Sequence, residues 1–452
     1  MQCVIKTGLI VDPAQRTAMV GDLILENDRI LQIAHPSMER EPNPRTLLID
    51  ARGCLVVPGF VDLAADVGTW NAPTLDDALD LALRGGWTTL GIRPDVVPAL
   101  DSPQRITALR NRPHVPMHSP MCVPLAPLRA PDGSLHDLKP FVTAGAVAAT
   151  DRDHPISDPQ QLRGALHRAA ALDLPVLLSP HALNWAGVMH AGQWSAELGV
   201  RGIPGSAETA AVAQILALIE ETRARVHLLH ITTAASVRLI RHAKRDGSRV
   251  TASTTPQHLV LTDRWVAGSL ADDRDMPQLN PALLSPYDRR VRFSPPLRSE
   301  ADRKALVTGL LDGTLDAIAS DHHTWQAGPA AFGTAEPGVP MWDSALALLL
   351  VLVQRGELDV VELVARLSFE PARILGLPCG TFAPHAVADV TIFDTEATWA
   401  LPHDAASPVA GQTLKGRVML TMRAGEVVYR HNNFGSTHRR EPMRAATLAG
   451  LL

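Results

Sequence analysis

The sequence predicts an α/β fold: a (β/α)8 TIM-like barrel joined to a small β-sandwich built from both chain termini. Three observations carry this expectation. Short β-rich runs crowd residues 1–56, and the same pattern returns over 380–434. Between them, residues 57–379 alternate strand-like runs with helical patterns, the rhythm of a parallel sheet crossed by helices. That middle stretch of about 320 residues is within the size range of an eight-fold barrel.

Taken in order, residues 4–6, 8–11 and 22–25 read as strands. The last runs through Glu26-Asn27-Asp28-Arg29 into residues 30–33, a hairpin signature. Residues 55–63 read as one apolar strand leading through Pro58-Gly59 to Ala64-Ala65-Asp66-Val67-Gly68. Ser157-Asp158-Pro159 marks a helix start, with a capping side chain ahead of a Pro whose missing N–H costs nothing there. Residues 226–231, 249–254 and 315–320 are strands, each after a helical pattern. Ser299 with Asp302 resembles a capping box, and Gly313 closes that helix. Residues 388–393, 418–422 and 427–429 complete the second β segment, and 435–452 form a tail of different character.

Composition bounds the function. The 452 residues are 46% hydrophobic and 20% charged, ordinary for a soluble enzyme-like chain, and with 4% aromatics the core must be aliphatic. A net charge of −5 and a pI near 6.4 argue against a nucleic-acid partner. Cys3, Cys54, Cys122 and Cys379 lack Cys-x-x-Cys spacing, which reads as free thiols in a reduced cytoplasmic setting. No leader is expected. The longest apolar run, 345–353, is far short of the roughly 20 residues of a membrane span and reads as a buried helix.

In a barrel of this kind chemistry gathers just after the strands. Asp151, His230 and Asp321 fall there, with His322 and His323 following Asp321. Each has a plain structural explanation, since a strand-end Asp caps helices and a buried His satisfies backbone carbonyls. Together they also suit hydrolysis by metal-activated water, where a few protein ligands hold the ion and a carboxylate takes the proton.

Several stretches carry a resemblance. Leu229-His230-Ile231-Thr232-Thr233-Ala234-Ala235-Ser236-Val237 is one. Val250-Thr251-Ala252-Ser253-Thr254-Thr255-Pro256-Gln257-His258-Leu259 and Ser294-Pro295-Pro296-Leu297-Arg298 are others. So are residues 312–322, ending Ser320-Asp321-His322, and Pro371-Ala372-Arg373-Ile374-Leu375-Gly376-Leu377. Over almost its whole length the chain resembles the dihydroorotases of the amidohydrolase superfamily, the long bacterial type. The resemblance implies a barrel with a composite sandwich and, in active members, zinc-assisted opening of a cyclic amide.

The departures fall on the chemistry. The family's His-x-His after the first strand corresponds to Ala64 and Asp66, and the Arg that grips the substrate carboxylate corresponds to Gly68. An Asn that holds the substrate corresponds to Asp95, which would face a negative substrate with a negative charge. A further metal-binding His corresponds to Ser179, an Asn before Pro-Pro to Ser294, and a last His to Trp325. Asp151, His230 and Asp321 are retained as a ligand or bridge, a ligand, and a ligand and base.

Losing an outer partner of a ligand alone costs about 10–100-fold in metal affinity or activity, and here three direct imidazoles are missing. The expectation is therefore a catalytically inactive chain, with no catalytic residues and no cofactor. As the resemblance implies for a dihydroorotase-like partner, it would act as an assembly subunit for the aspartate carbamoyltransferase catalytic chain, in a cytoplasmic hetero-oligomer of pyrimidine synthesis. The alternative is an active zinc-dependent amidohydrolase on a rearranged set, Asp66, Asp151, His230 and Asp321, with His181 and His323 close in sequence to lost positions. A third reading is a binding module that uses the emptied pocket.

Overall fold

The computed structural model describes residues 2–36, 45–70, 74–111, 119–151, 155–180, 185–271, 279–325, 328, 330–432 and 434. His181 and the tail 435–452 lie outside these. The N-terminal stretch gives strands β1 (Gln2–Asp12), β2 (Thr17–Glu26), β3 (Arg29–Ala34), β4 (Leu47–Asp50) and β5 (Leu55–Pro58). The middle gives β6 (Phe60–Ala65), β7 (Trp87–Ile92), β8 (Met121–Pro127), β9 (Ala148–Thr150) and β10 (Val176–Leu178). A minor parallel pair follows, β11 (Met189–His190) and β12 (Gly202–Ile203), then β13 (Val226–Leu228), β14 (Val250–Thr254) and β15 (Ala317–Ile318). β16 (Val390–Ala400), β17 (Thr413–Arg423) and β18 (Glu426–Arg430) close the order.

β6 to β10 and β13 to β15 form one eight-stranded parallel sheet in chain order, curled as a barrel. The strands of the two termini merge into a separate sheet ordered β18-β17-β16-β5-β1-β2-β3, with β4 on β1. Ile5, Leu23, Leu25, Val56, Ile392, Leu420 and Met422 build its own apolar core. The expected α/β architecture is the one observed.

Three sequence expectations differ locally. The runs 4–6 and 8–11 are one strand, β1, with a register shift between Ile5 and Gly8 where Thr7 has φ 58°. The single strand expected over 55–63 divides at Gly59 into β5 of the terminal sheet and β6 of the barrel. Pro58 has no N–H to give a ladder, the Gly59 N–H goes to the Asp389 carbonyl at 3.0 Å, and Thr88 packs where a Cβ would stand. At Ser299 the cap forms, but the Asp302 carboxylate accepts the Ser299 hydroxyl at 2.6 Å in place of its N–H, and its other oxygen accepts the Ala234 N–H at 2.8 Å, tying two neighbouring helices.

The core explains why so few aromatics suffice. Trp87, Trp265 and Trp342 are fully buried between barrel and helices, and helix Trp342–Gln354 is apolar on nearly every face, as run 345–353 predicts. Inside the barrel, Val61, Leu63, Ala64, Leu125, Leu177 and Leu229 pack on Ile374 and Leu375 of helix Glu370–Leu375. This apolar plug lies beneath the strand ends that carry the polar groups. Ala64, where the family pattern has a histidine, is part of it.

Between β15 and β6, the two ends of the curled sheet, the link is a side chain. The fully buried Asp62 carboxylate accepts the Ser320 N–H at 3.2 Å, the Ser320 hydroxyl, and the Trp342 indole N–H at 2.8 Å.

Candidate active site at the strand ends

The groups singled out from sequence, joined by Arg93, follow strands at the same end of the barrel. Asp66 follows β6, Arg93 and Asp95 follow β7, Asp151 follows β9, and Ser179 follows β10. His230 follows β13, and Asp321, His322 and His323 follow β15. The expected strands 226–231 and 315–320 are shorter in the fold, Val226–Leu228 and Ala317–Ile318, and just beyond them His230 and Asp321 adopt left-handed backbone, φ 56° and 51°. Left-handed conformation in non-glycine residues is costly and concentrates at functional sites. Here it turns both side chains toward each other.

Asp321 is the centre. Its Oδ1 lies 3.3 Å from His230 Nδ1 and 3.3 Å from His323 Nε2, and its Oδ2 accepts from the Gln257 side-chain amide at 2.9 Å. The other ring nitrogen of His323, Nδ1, is 3.4 Å from Asp66 Oδ2. Arg93 stands 3.8 Å from the same Asp66 oxygen and forks onto Asp95. The result is a continuous chain of contacts, Arg93–Asp66–His323–Asp321–His230. Burial alone would raise the Asp66 carboxyl, but His323 and Arg93 together hold it well below the usual carboxylate range.

The structure brings Asp66, His230 and Asp321 into this chain, and the Asp151 Oδ1 accepts the Ser179 N–H at 3.3 Å. Asp95 does not confront a substrate with bare negative charge, as the sequence suggested, because the Arg93 guanidinium engages it. Sequence reasoning missed Arg93 and Gln257, although Gln257 lies within a quoted motif. It placed His323 only beside a lost position, whereas the ring lies between two carboxylates. Gly338 makes room for it: a Cβ there would stand 2.5 Å from the His323 ring.

Three other imidazoles serve the fold. His227 bridges the Thr251 and Ser253 hydroxyls, and His258 reaches Thr255 and the carbonyls of Pro295 and Pro296. His322 stacks on Trp342 with ring centroids 3.5 Å apart and accepts the Met341 N–H. Burial pushes His227 and His322 down to about 3, so both are neutral packing groups at neutral pH.

Outside the chain of contacts a cleft of ≈ 460 Å³ opens, lined by Asp66, His323, Thr324, Trp325, Arg289 and Glu336 among others. Among the described residues no helix is long and apolar enough to cross a membrane.

Comparison with known proteins bears on the chemistry. Residues 126–428 match the amidohydrolase family. A dihydroorotase of Syntrophus aciditrophicus is 35% identical over 447 residues, covering 96% of this chain and 100% of that protein. A dihydroorotase of Syntrophotalea carbinolica is 34% identical, covering 95% and 99%. Among solved structures, the L-hydantoinase of Arthrobacter aurescens superposes with a TM-score of 0.78 at 20% identity over 95% of this chain and 96% of that one. The dihydropyrimidinase of Brevibacillus agri gives 0.76 at 20% identity over 96% of each chain. These two likenesses speak for the fold.

The dihydroorotase relatives bear an enzyme's name over the full chain, and this corrects two expectations: that the chain is not an enzyme, and that it has no cofactor. The physical reason lies in the site, where lost imidazoles are matched by gained groups and the mouth is polar and charged. Zinc is the ion that the family implies. As the donors stand they do not frame one: no three His, Cys, Asp or Glu side chains among the described residues converge at a holding distance. His323 occupies the gap between Asp66 and Asp321.

Proposed function

Because the chain belongs to the amidohydrolase family and is related over its whole length to dihydroorotases, we propose that it is a hydrolase of the dihydroorotase type, opening or closing the ring of a cyclic amide at the barrel mouth. The observation that carries this reading is Asp321. It is a carboxylate buried to 2% exposure, held in left-handed backbone and contacted by His230, His323 and Gln257 at a strand end. A base so oriented loses little in reorganisation when it takes a proton.

In the hydrolytic direction Asp321 accepts a proton from water, and the water oxygen bonds to the ring carbonyl carbon. The ring C–N bond then breaks and the proton passes from Asp321 to the departing nitrogen. His230 and Gln257 fix the orientation of Asp321, while Asp66 and Arg93 fix His323 beside it. No step is assigned to an ion, since the donors as placed do not enclose one.

The test is turnover of L-dihydroorotate and hydantoin by purified protein, with metal content measured by mass spectrometry and zinc or manganese supplied in parallel. Ring opening that Asp321→Asn abolishes supports the proposal. Absence of turnover under every metal condition overturns it. Association with the aspartate carbamoyltransferase catalytic chain is a separate proposal, supported by the sequence resemblance. A native mass unchanged on mixing the two proteins would refute it.

A further inference from the structure

We infer that the chain carries a second binding site, for a phosphoryl group, in a cavity at the seam between the barrel and the terminal sheet. It does not depend on the proposed activity, because it lies at the other end of the barrel strands. Arg84 ends helix Thr74–Arg84 and stands just before β7, whereas Arg93 and Asp95 follow that strand.

Three segments meet at this seam. Arg84 comes from the barrel, Arg417 from β17, and Tyr429 and Arg430 from β18, the edge strand of the terminal sheet. The Thr421 hydroxyl donates to the Leu83 carbonyl at 2.8 Å and so fastens the end of the helix to β17. The cavity between them is ≈ 390 Å³, within the range of small-ligand sites, which favour such junctions.

The cations here are left over from ion pairing. Elsewhere Arg163, Arg290 and Arg366 sit on Glu221, Asp288 and Glu362. Among the described residues, neither Arg84 nor Arg417 has a carboxylate within ion-pair distance. Asp80 lines the same cavity one turn before Arg84 and makes no ion pair with it. Asp343 of helix Trp342–Gln354 feels both guanidiniums but pairs with neither, and burial raises its carboxyl against their pull. With both carboxylates ionised, Arg84, Arg417 and Arg430 still leave the cavity positive.

The donors are also partly preset. The Arg417 guanidinium lies 5.0 Å from the Trp399 ring centroid, and Arg430 is anchored through Nε, which donates to the Phe434 carbonyl at 3.1 Å. That anchor leaves the terminal nitrogens of Arg430 for a ligand. Burial raises the Tyr429 phenol, so its hydroxyl stays a donor. A carboxylate presents two oxygens in one plane and answers a single fork. A phosphoryl group brings a charge of about −1.5 to −2 and three acceptor oxygens, enough to meet donors from all three segments.

The experiment is calorimetric titration with inorganic phosphate, AMP and acetate at constant ionic strength, on wild type, Arg84→Met, Arg417→Met and the double variant. Hydrogen exchange of wild type with and without phosphate locates the site. Wild type is expected to bind phosphate or AMP with a dissociation constant of about 1 mM or below and to ignore acetate. Each single variant should weaken that binding by about 10- to 100-fold, the size of a charge-assisted contact, with an unchanged melting temperature. Protection should appear at residues 80–84 and 427–431. Tighter binding of AMP assigns the cavity to a phosphate ester, and tighter binding of phosphate to the free ion; both keep the inference. Four results would overturn it: no phosphoryl binding beyond a chloride control, acetate bound as tightly, full affinity in the double variant, or protection confined to the barrel mouth at 321–325.

Discussion

Replacing Asp62 by alanine should weaken the barrel where its sheet ends meet. The side chain is fully buried and accepts three hydrogen bonds: from the Ser320 N–H at 3.2 Å, from the Ser320 hydroxyl, and from Trp342 Nε1 at 2.8 Å. In Asp62→Ala these three donors stay buried without an acceptor, at about 1–3 kcal/mol each. Against that, the variant no longer buries a carboxylate, whose desolvation pushes the Asp62 pKa up. The net cost should fall at the low end, about 3 kcal/mol, or roughly 3 °C in melting temperature for a chain of this size. Asp62→Asn keeps one acceptor oxygen and removes the charge, so it should lose about half as much. The damage should also reach the site. Ser320 Oγ accepts the His322 N–H at 3.0 Å and His322 stacks on Trp342, so amide exchange should rise at residues 320–323 before the rest of the sheet opens. The measurements are thermal unfolding by circular dichroism and hydrogen exchange. An Asp62→Ala protein that melts with wild type would refute the argument that this carboxylate joins β15 to β6.

Asp321→Asn should lower turnover by about 10²–10⁴-fold, the usual contribution of a general base, with little change in melting temperature, because Asn tolerates left-handed backbone. Gly338→Ala should displace the His323 ring, since the new Cβ would meet it at 2.5 Å and φ is +102°; a loss of about 1–3 kcal/mol together with reduced activity is expected. Burial raises the Asp263 carboxyl to about 6, so its favourable neutral form is fully present below the unfolded value near 4 and is lost as pH rises through 6. Asp263→Asn should therefore gain stability over wild type above pH 6, by up to about 3 kcal/mol, and match it below pH 4 in urea titrations; a pH-independent difference would contradict this.

What could be read in the sequence follows from which contacts are local. The alternation of strands and helices, the Asp158–Pro159 helix start and the buried helix at 345–353 depend on neighbours a few residues away, and all three are present in the fold. The break at Gly59 was not legible, because it depends on Asp389 and Thr88, which are distant in sequence. The site divides along the same line. Asp151, His230 and Asp321 could be placed at strand ends from their own segments. Whether the site was empty could not, because loss at a motif position is visible in the motif while compensation arrives from another strand. Asp66 in place of an imidazole looked like a deletion until His323, 257 residues later, was found against it with a carboxylate on each ring nitrogen. Asp95 looked like a charge aimed at the substrate until its pairing with Arg93 was seen. A list of substituted ligands therefore measures only what a site has lost. Its electrostatics depend on the pairs formed afterwards, and here those pairs restore a dense array of opposite charges at the same mouth, with different residues providing it.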